Sequence, residues 1–144
     1  MLEVKFYDTA DDALLKFAVI ISRSNGKWVL CKHKERDTYE VPGGHREEGE
    51  DILDTAKREL QEETGAIKFD LKPPCVYFVT GRTRVNENGE ESFGLLCFAE
   101  IKEFSGKLES EIEKVELMDE LPENWTYPLI QPKLIEEYER RKYE

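Results

Sequence analysis

The sequence predicts a single mixed α/β sandwich, built from strands, a central helix, further strands and a C-terminal helix. Three observations carry this. Two apolar runs flank the turn Asn25-Gly26, the residues Ile52, Leu53, Ala56 and Leu60 recur at helical spacing, and "QPKLIEEYERRKYE" near the end is amphipathic. Strands that alternate with helices of this kind need both faces of one sheet covered.

In order along the chain, "LLKFAVIISRSNGKWVLCKH" reads as two strands joined at Asn25-Gly26, a dipeptide that suits a tight hairpin turn. Val29 and Cys31 alternate with Leu30 and Lys32, as in a half-buried strand. "YEVPGG" breaks the pattern and is expected to be a loop, because proline and paired glycines neither extend a strand nor open a helix. From Asp51 the apolar residues Ile52, Leu53, Ala56 and Leu60 are expected on one helix face. Acids crowd the first turn, where they suit the helix dipole, and Gly65 supplies the stop. "CVYFVTGRTRV" and "ESFGLLCFAEIKEF" read as strands around a second turn, "NENGE". A short strand "VELM" and the connection "ELPENWTYP" lead to the last helix, with Pro132 near its start, where proline is tolerated. Ile130, Leu134 and Tyr138 share a face there.

The bulk properties bound the function. A chain of 144 residues fits one domain spanning 1–144, long enough to close a core. The net charge of −11 argues against a nucleic-acid polymer as partner, since a phosphate backbone is bound with an excess of Lys and Arg. No apolar run reaches membrane-spanning length, and the acids of "MLEVKFYDTADDALLKF" do not suit a signal peptide. Cys31, Cys75 and Cys97 are odd in number and widely spaced among apolar neighbours, so they read as reduced packing residues of a cytoplasmic protein.

The segment "VPGGHREEGEDILDTAKRELQEETGA" departs from an ordinary surface. Its acids are Glu47, Glu48, Glu50, Asp51, Asp54, Glu59, Glu62 and Glu63, set against Arg46, Lys57 and Arg58, which leaves five of the eleven surplus charges here. Glu59, Glu62 and Glu63 stand at i, i+3 and i+4, so the three carboxylates share one helix face. Like charges at that spacing cost about 0.2–0.5 kcal/mol per pair. Either the face is simply solvated, or a hard divalent cation gathers the carboxylates; Mg²⁺ prefers such oxygen ligands. Gly43 and Gly44 favour the second reading, since they allow close backbone approach just upstream and leave a carbonyl free to coordinate. Arg58, beside the cluster, can hold a carboxylate through forked hydrogen bonds.

These residues resemble the box of the Nudix hydrolases, G-x5-E-x7-R-E-U-x-E-E-x-G-U, where U is bulky and aliphatic. Gly44, Glu50, Arg58-Glu59-Leu60, Glu62-Glu63 and Gly65 match it at the same spacing; only Ala66 departs, standing where Ile, Leu or Val is usual. The box covers about a sixth of the chain, and the strand pattern around it resembles that family as well. The resemblance implies a Nudix-type α/β/α sandwich with a mixed β-sheet and a central catalytic helix. It implies hydrolysis of a diphosphate linked to another moiety, using Mg²⁺ or Mn²⁺. Glu59, Glu62, Glu63 and the Gly44 carbonyl would be metal ligands, Glu50 would support the loop–helix junction, and Arg58 would orient a glutamate. The general base would be Glu59 or one of Glu109, Glu111 and Glu113; Glu111, five residues before Glu116, is expected as an extra metal ligand or base.

Subfamily markers narrow the substrate little. The proline of the ADP-ribose type is replaced by Gly81, and Arg82, Thr83 and Arg84 stand where the dinucleoside polyphosphate type has a tyrosine. The remaining resemblance is to the compact MutT-like pyrophosphohydrolases of nucleoside triphosphates, some of which act on oxidised nucleotides. Thr126 falls where an asparagine reads the base in some of these. Arg36, Tyr39, Arg82 and Arg84 are expected to contact base or phosphates, because arginine suits bidentate phosphate binding and tyrosine stacks. The alternatives are cleavage of ADP-ribose, sugar nucleotides or capped RNA ends, or a metabolite-sensing module without catalysis. The expected partner is a small nucleotide, with the protein a monomer or homodimer.

Overall fold

The structure is a computed structural model that describes residues 3–80, 92–106 and 112–141. Its strands are β1 (Glu3–Tyr7), β2 (Leu15–Ser24), β3 (Lys27–His33), β4 (Gly43–His45), β5 (Ala66–Thr80), β6 (Ser92–Phe104) and β7 (Ile112–Met118). The helices are α1 (Ile52–Thr64) and α2 (Gln131–Arg141), with a short 3₁₀ turn at Asp12–Leu14. One sheet runs β1-β5-β6-β2-β3-β7, and β4 joins β2 off that path. β2 and β6 are parallel, while the other pairings are antiparallel, so the sheet is mixed as expected.

The strand sequences explain why a helix covers each face. Along β2, Ala18 and Ile20 enter one buried cluster and Val19 and Ile21 the other. β6 repeats this, with Leu95, Cys97 and Ala99 on the first side and Leu96 on the second. Strands apolar on both faces cannot leave either one wet. α1 covers the first face with Ile52, Ala56 and Leu60, and α2 covers the second with Leu134 and Ile135. The Asp51 side chain caps α1 by accepting from the Leu53 N–H at 2.9 Å, and Gly65 ends it in the left-handed region at φ 76°. Cys31, Cys75 and Cys97 are buried free thiols.

Several expectations are corrected in detail. Gly43 and Gly44, expected as loop, belong to the strand Gly43–His45, which pairs with Phe17–Val19. A Cβ at Gly43 would lie 2.6 Å from the Ala18 carbonyl oxygen, so glycine here permits a close pairing that a side chain would block. Leu53, expected on the buried face of α1, is exposed. β5 begins at Ala66, well before Cys75; its Pro73 and Pro74 fall where the register with β6 shifts between Lys72 and Cys75, an irregularity that accommodates missing donors. β7 starts at Ile112 rather than Val115. The expected turn "NENGE" lies outside the described residues.

Gly94 sits between β2 and β5, opposite Phe17 on one side and Tyr77 on the other. An added Cβ would come 2.5 Å from the Phe17 ring and 2.8 Å from that of Tyr77. These rings pack edge to face at 5.6 Å. Gly94→Ala is therefore expected to destabilise the fold by about 1–3 kcal/mol, the usual cost of overpacking. A urea titration checks this: an unchanged midpoint would contradict the packing account.

Candidate active site

Arg58 organises the acidic face of α1. Its Nε donates to Glu50 Oε2 at 2.8 Å and its Nη2 to Glu50 Oε1 at 3.0 Å, a forked pair. Nη1 donates to Glu59 Oε1 at 2.8 Å and to Glu62 Oε2 at 3.2 Å. Nη2 also reaches the His45 carbonyl at 3.1 Å, so one guanidinium ties the helix to β4. The sequence leads one to expect a single glutamate in its grip; the structure shows three hydrogen-bonded to it and a fourth, Glu47, at 3.6 Å.

Glu63 faces inward and is held differently. Its Oε1 accepts from the Gly43 N–H at 2.8 Å, and its Oε2 lies 3.4 Å from His33 Nε2. The same His33 nitrogen is 2.5 Å from Glu40 Oε1, whose other oxygen accepts from Arg36 Nη1 at 3.1 Å. Glu40 and Glu63 are both buried. Cys31, Glu40 and Glu63 bring their ligand atoms within 4.8 Å of one another, the one such gathering among the described residues. Glu59, Glu62 and Glu63 share the face as expected but are not drawn together to that degree, because Arg58 holds the first two and β4 the third.

Gly44 lies against the Glu59 carboxylate. A Cβ there would be 2.3 Å from Glu59 Cδ and 2.4 Å from its Oε1. The absence of a side chain is thus what lets this carboxylate rest on the β4 backbone. Burial, helped by the neighbouring Glu63 charge and opposed by Arg58, raises the Glu59 carboxyl to about 7. Burial also raises Glu63, against the lowering effect of His33 and the Gly43 N–H. Hard oxygen donors whose negative charge is costly in place are a set that suits a divalent cation.

This has a pH consequence. A carboxyl whose folded pKa exceeds its ordinary 4.5 keeps its proton longer in the folded state, so stability falls as pH rises from about 4.5 to about 7. Glu50 behaves oppositely. Arg58, then Thr55, hold it down at about 2, so its contribution is present above 4.5 and lost as pH falls toward 2. In chelator, the melting temperature is expected to decline between pH 5 and 8, and Glu59→Gln to flatten that decline. A slope identical in the variant would contradict the assignment to Glu59.

A cavity of 240 Å³ opens beside this face, bordered by Gly43, Gly44 and Glu63. Its apolar walls include Phe17, Val19, Tyr77, Ile130 and Leu134. His33, Arg36, His45, Tyr127 and Gln131 add polar groups. This is just under the ~300 Å³ from which small-molecule pockets usually begin, which suits one planar ring system better than an extended ligand.

Among the expected substrate contacts, Arg36 lines the cavity. Tyr39 and Thr126 do not. Tyr39 is tied through its backbone to Asn124 and Thr126, and the buried Thr126 hydroxyl lies 2.6 Å from that of Thr38. Arg82, Arg84 and Glu111, with Glu109, lie outside the described residues. Glu113 pairs with Lys32 across β3 and β7. His33, Glu40, His45 and Gln131 were not anticipated. One signal was available: the chain has only two histidines, and both border the cavity.

A mixed sheet between two helices, with an arginine-clamped acidic helix face set against a glycine strand, defines a hydrolase of Nudix type. Residues 14–138 match the family model described as NUDIX domain. The chain belongs to this family and is a Nudix pyrophosphohydrolase. It is 35% identical over 128 residues to a Bacillus subtilis (strain 168) protein named "Putative 8-oxo-dGTP diphosphatase YtkD", covering 85% of this chain and 74% of that one. The crystal structure of the Bacillus subtilis pyrophosphohydrolase BsRppH is similar at a TM-score of 0.78 and 27% identity, over 99% of this chain and 92% of that chain. A NUDIX hydrolase from Nitrosomonas europaea shares the fold at a TM-score of 0.70 and 23% identity, over 88% of this chain and 89% of that one. Among the described residues no helix is long and apolar enough to cross a membrane.

Proposed function

We propose that the protein hydrolyses a nucleoside triphosphate, in canonical or oxidised form, to the monophosphate and pyrophosphate, and that residues 1–144 act as one catalytic domain. The observation that carries this is the cavity. It is sized for one heterocycle and bordered by Gly43, Gly44 and Glu63, so a base lodged there leaves its phosphates at the acidic face. The relatives YtkD and BsRppH, named as a diphosphatase and a pyrophosphohydrolase, support the same chemistry.

Glu59, Glu62, Glu63 and the Gly44 carbonyl are the groups we assign to Mg²⁺, with Mn²⁺ as substitute and Glu111 as a further ligand or base. When bound, such a cation neutralises the phosphates and acidifies water. The chain's own contribution is positional. Arg58 holds Glu59 and Glu62 and anchors them to Glu50 and the β4 backbone, while Gly43 and His33 hold Glu63. The proton of the attacking water goes to Glu59 or Glu111. Replacing the base by glutamine removes the acid limb of the pH–rate profile, whereas replacing a ligand alone lowers the whole curve.

The test is release of pyrophosphate or phosphate with Mg²⁺ across canonical and oxidised nucleotides, ADP-ribose, sugar nucleotides and capped RNA, with Glu62→Gln as control. Triphosphates are expected to be the best substrates. Tight binding of a nucleotide with no turnover of any would replace the enzyme reading by a sensing one.

A further inference from the structure

We propose that Cys31, Glu40 and Glu63 form a site for a thiophilic divalent cation such as Zn²⁺, which inhibits the enzyme by withdrawing Glu63 from magnesium. The inhibitory half rests on the reading above that Glu63 serves the reaction; the site itself does not. Cys31 stands near the end of β3, and Glu40 faces it across an antiparallel bridge. The Cys31 N–H donates to the Glu40 carbonyl at 2.9 Å, and the Glu40 N–H donates back at 3.0 Å. Residues so paired carry their side chains on the same face. That face is the one toward α1, since Val29, two residues earlier in β3, packs in the cluster that α1 covers. Glu63 comes from the last turn of α1. The three ligand atoms lie within 4.8 Å of one another, with Cys31 fully buried and each glutamate 6% exposed.

Two further observations separate this group from ordinary packing. Cys75 and Cys97 belong to the two apolar clusters of the core, whereas Cys31 belongs to neither. Its thiol makes a weak bond to the Glu40 carbonyl at 3.4 Å. His33, two residues further along β3, sets Nε2 at 2.5 Å from Glu40 and 3.4 Å from Glu63. Close as it is, this buried nitrogen makes no well-formed hydrogen bond among the described residues. It stands where it can be a fourth donor, and sulfur, imidazole and carboxylate together make a tetrahedral zinc set. Mg²⁺, which takes oxygen ligands and keeps several waters, has no use for the thiol. Burial, then the charges of Glu63, Glu40 and Glu59, push the Cys31 thiol up, so it is held protonated and is a poor nucleophile. A cation that binds sulfur displaces that proton to solvent and cancels the repulsion between the two buried carboxylates. Entry is from the cavity, which His33, Glu40 and Glu63 all border. An ion held against Cys31 draws Glu63 away from Glu59 and Glu62, so its occupancy and catalysis exclude one another.

The experiment titrates metal-free protein with Co²⁺, a spectroscopic stand-in for Zn²⁺. A thiolate-to-cobalt absorption band in the near ultraviolet is expected, bleached by Zn²⁺ and untouched by Mg²⁺ at like concentration. Cys31→Ser is expected to abolish the band. Cys75→Ser and Cys97→Ser are expected to keep it, which assigns it even where Cys31→Ser does not fold. In turnover with Mg²⁺, added Zn²⁺ is expected to inhibit and excess Mg²⁺ to relieve the inhibition. Cys31→Ser is expected to need at least about tenfold more Zn²⁺ for half-inhibition, with turnover in its absence unchanged. No band in the unaltered protein, or a band that survives Cys31→Ser or depends on Cys75 or Cys97, overturns the site. Inhibition equally strong in Cys31→Ser overturns the inhibitory role. A band in a protein that hydrolyses none of the nucleotides would spare this site and sink the functional reading; turnover without the band would do the reverse.

Discussion

Glu63→Gln is expected to lower kcat/KM by on the order of a hundredfold or more while leaving the fold intact and the metal-free protein no less stable. The substitution keeps the shape of the side chain. Its amide oxygen can still accept from the Gly43 N–H, which now sits 2.8 Å from Glu63 Oε1. What disappears is a negative charge that burial makes expensive, a cost shown by the raised carboxyl of Glu63. A residue whose charge harms the resting fold but is needed for the reaction is expected where function and stability conflict. Turnover with Mg²⁺ and a melting curve in chelator, measured on the same preparation, check both halves. Near-normal turnover would remove Glu63 from the metal-binding set; a collapsed melting temperature would show that its charge supports the fold.

The second large effect separates two adjacent glycines. Gly44→Ala is expected to abolish most activity, on the order of a hundredfold, with modest change in stability. The atoms nearest the new methyl are those of the Glu59 carboxylate, with Cδ at 2.3 Å, and a side chain can swing away where a backbone cannot. Displacing it breaks the contact with Arg58 Nη1 and moves one carboxylate out of the cluster. Gly43→Ala meets backbone instead, with the Ala18 carbonyl oxygen at 2.6 Å and the Val19 Cα at 3.1 Å. Its cost is expected in stability, about 1–3 kcal/mol, because β4 must part from β2. Activity and urea midpoints for the two variants test the contrast. Equal loss of stability in both would contradict it.

The difference between these glycines shows what was legible in the sequence and what was not. Spacing alone identifies α1 and its stop at Gly65, since these depend on residues within a few turns of one another. The Asn25-Gly26 hairpin is legible for the same reason: both residues have positive φ, at 53° and 77°, as a tight turn requires. The strand character of Gly43–His45 was hidden, because it comes from β2, which lies far back in the sequence. The extension of β5 through Pro73 and Pro74 was hidden too; local propensity argues against it and pairing with β6 overrides it. In the site, the box residues share a face as the spacing requires. Their actual partners, His33 and the Gly43 N–H for Glu63 and the β4 carbonyl for Arg58, arise from contacts between elements that no local pattern encodes. Thr126, which positional analogy relates to a base-reading asparagine, lies beneath the surface with its hydroxyl against that of Thr38.

The parallel pairing of β2 with β6 bears on how the molecule assembles. The Ser22–Ser24 end of β2 finds β3 across a two-residue turn, a closure of about 1–10 μs in isolated hairpins. The Phe17–Val19 end, which carries the glycine strand on one side, is backed on the other by Gly94–Leu96, late in the chain. Closing so wide a loop is slow, and until it happens the β2 end that carries the glycine strand lacks its second neighbour. During refolding from denaturant, helical and hairpin signals should therefore return well ahead of competence to turn over substrate.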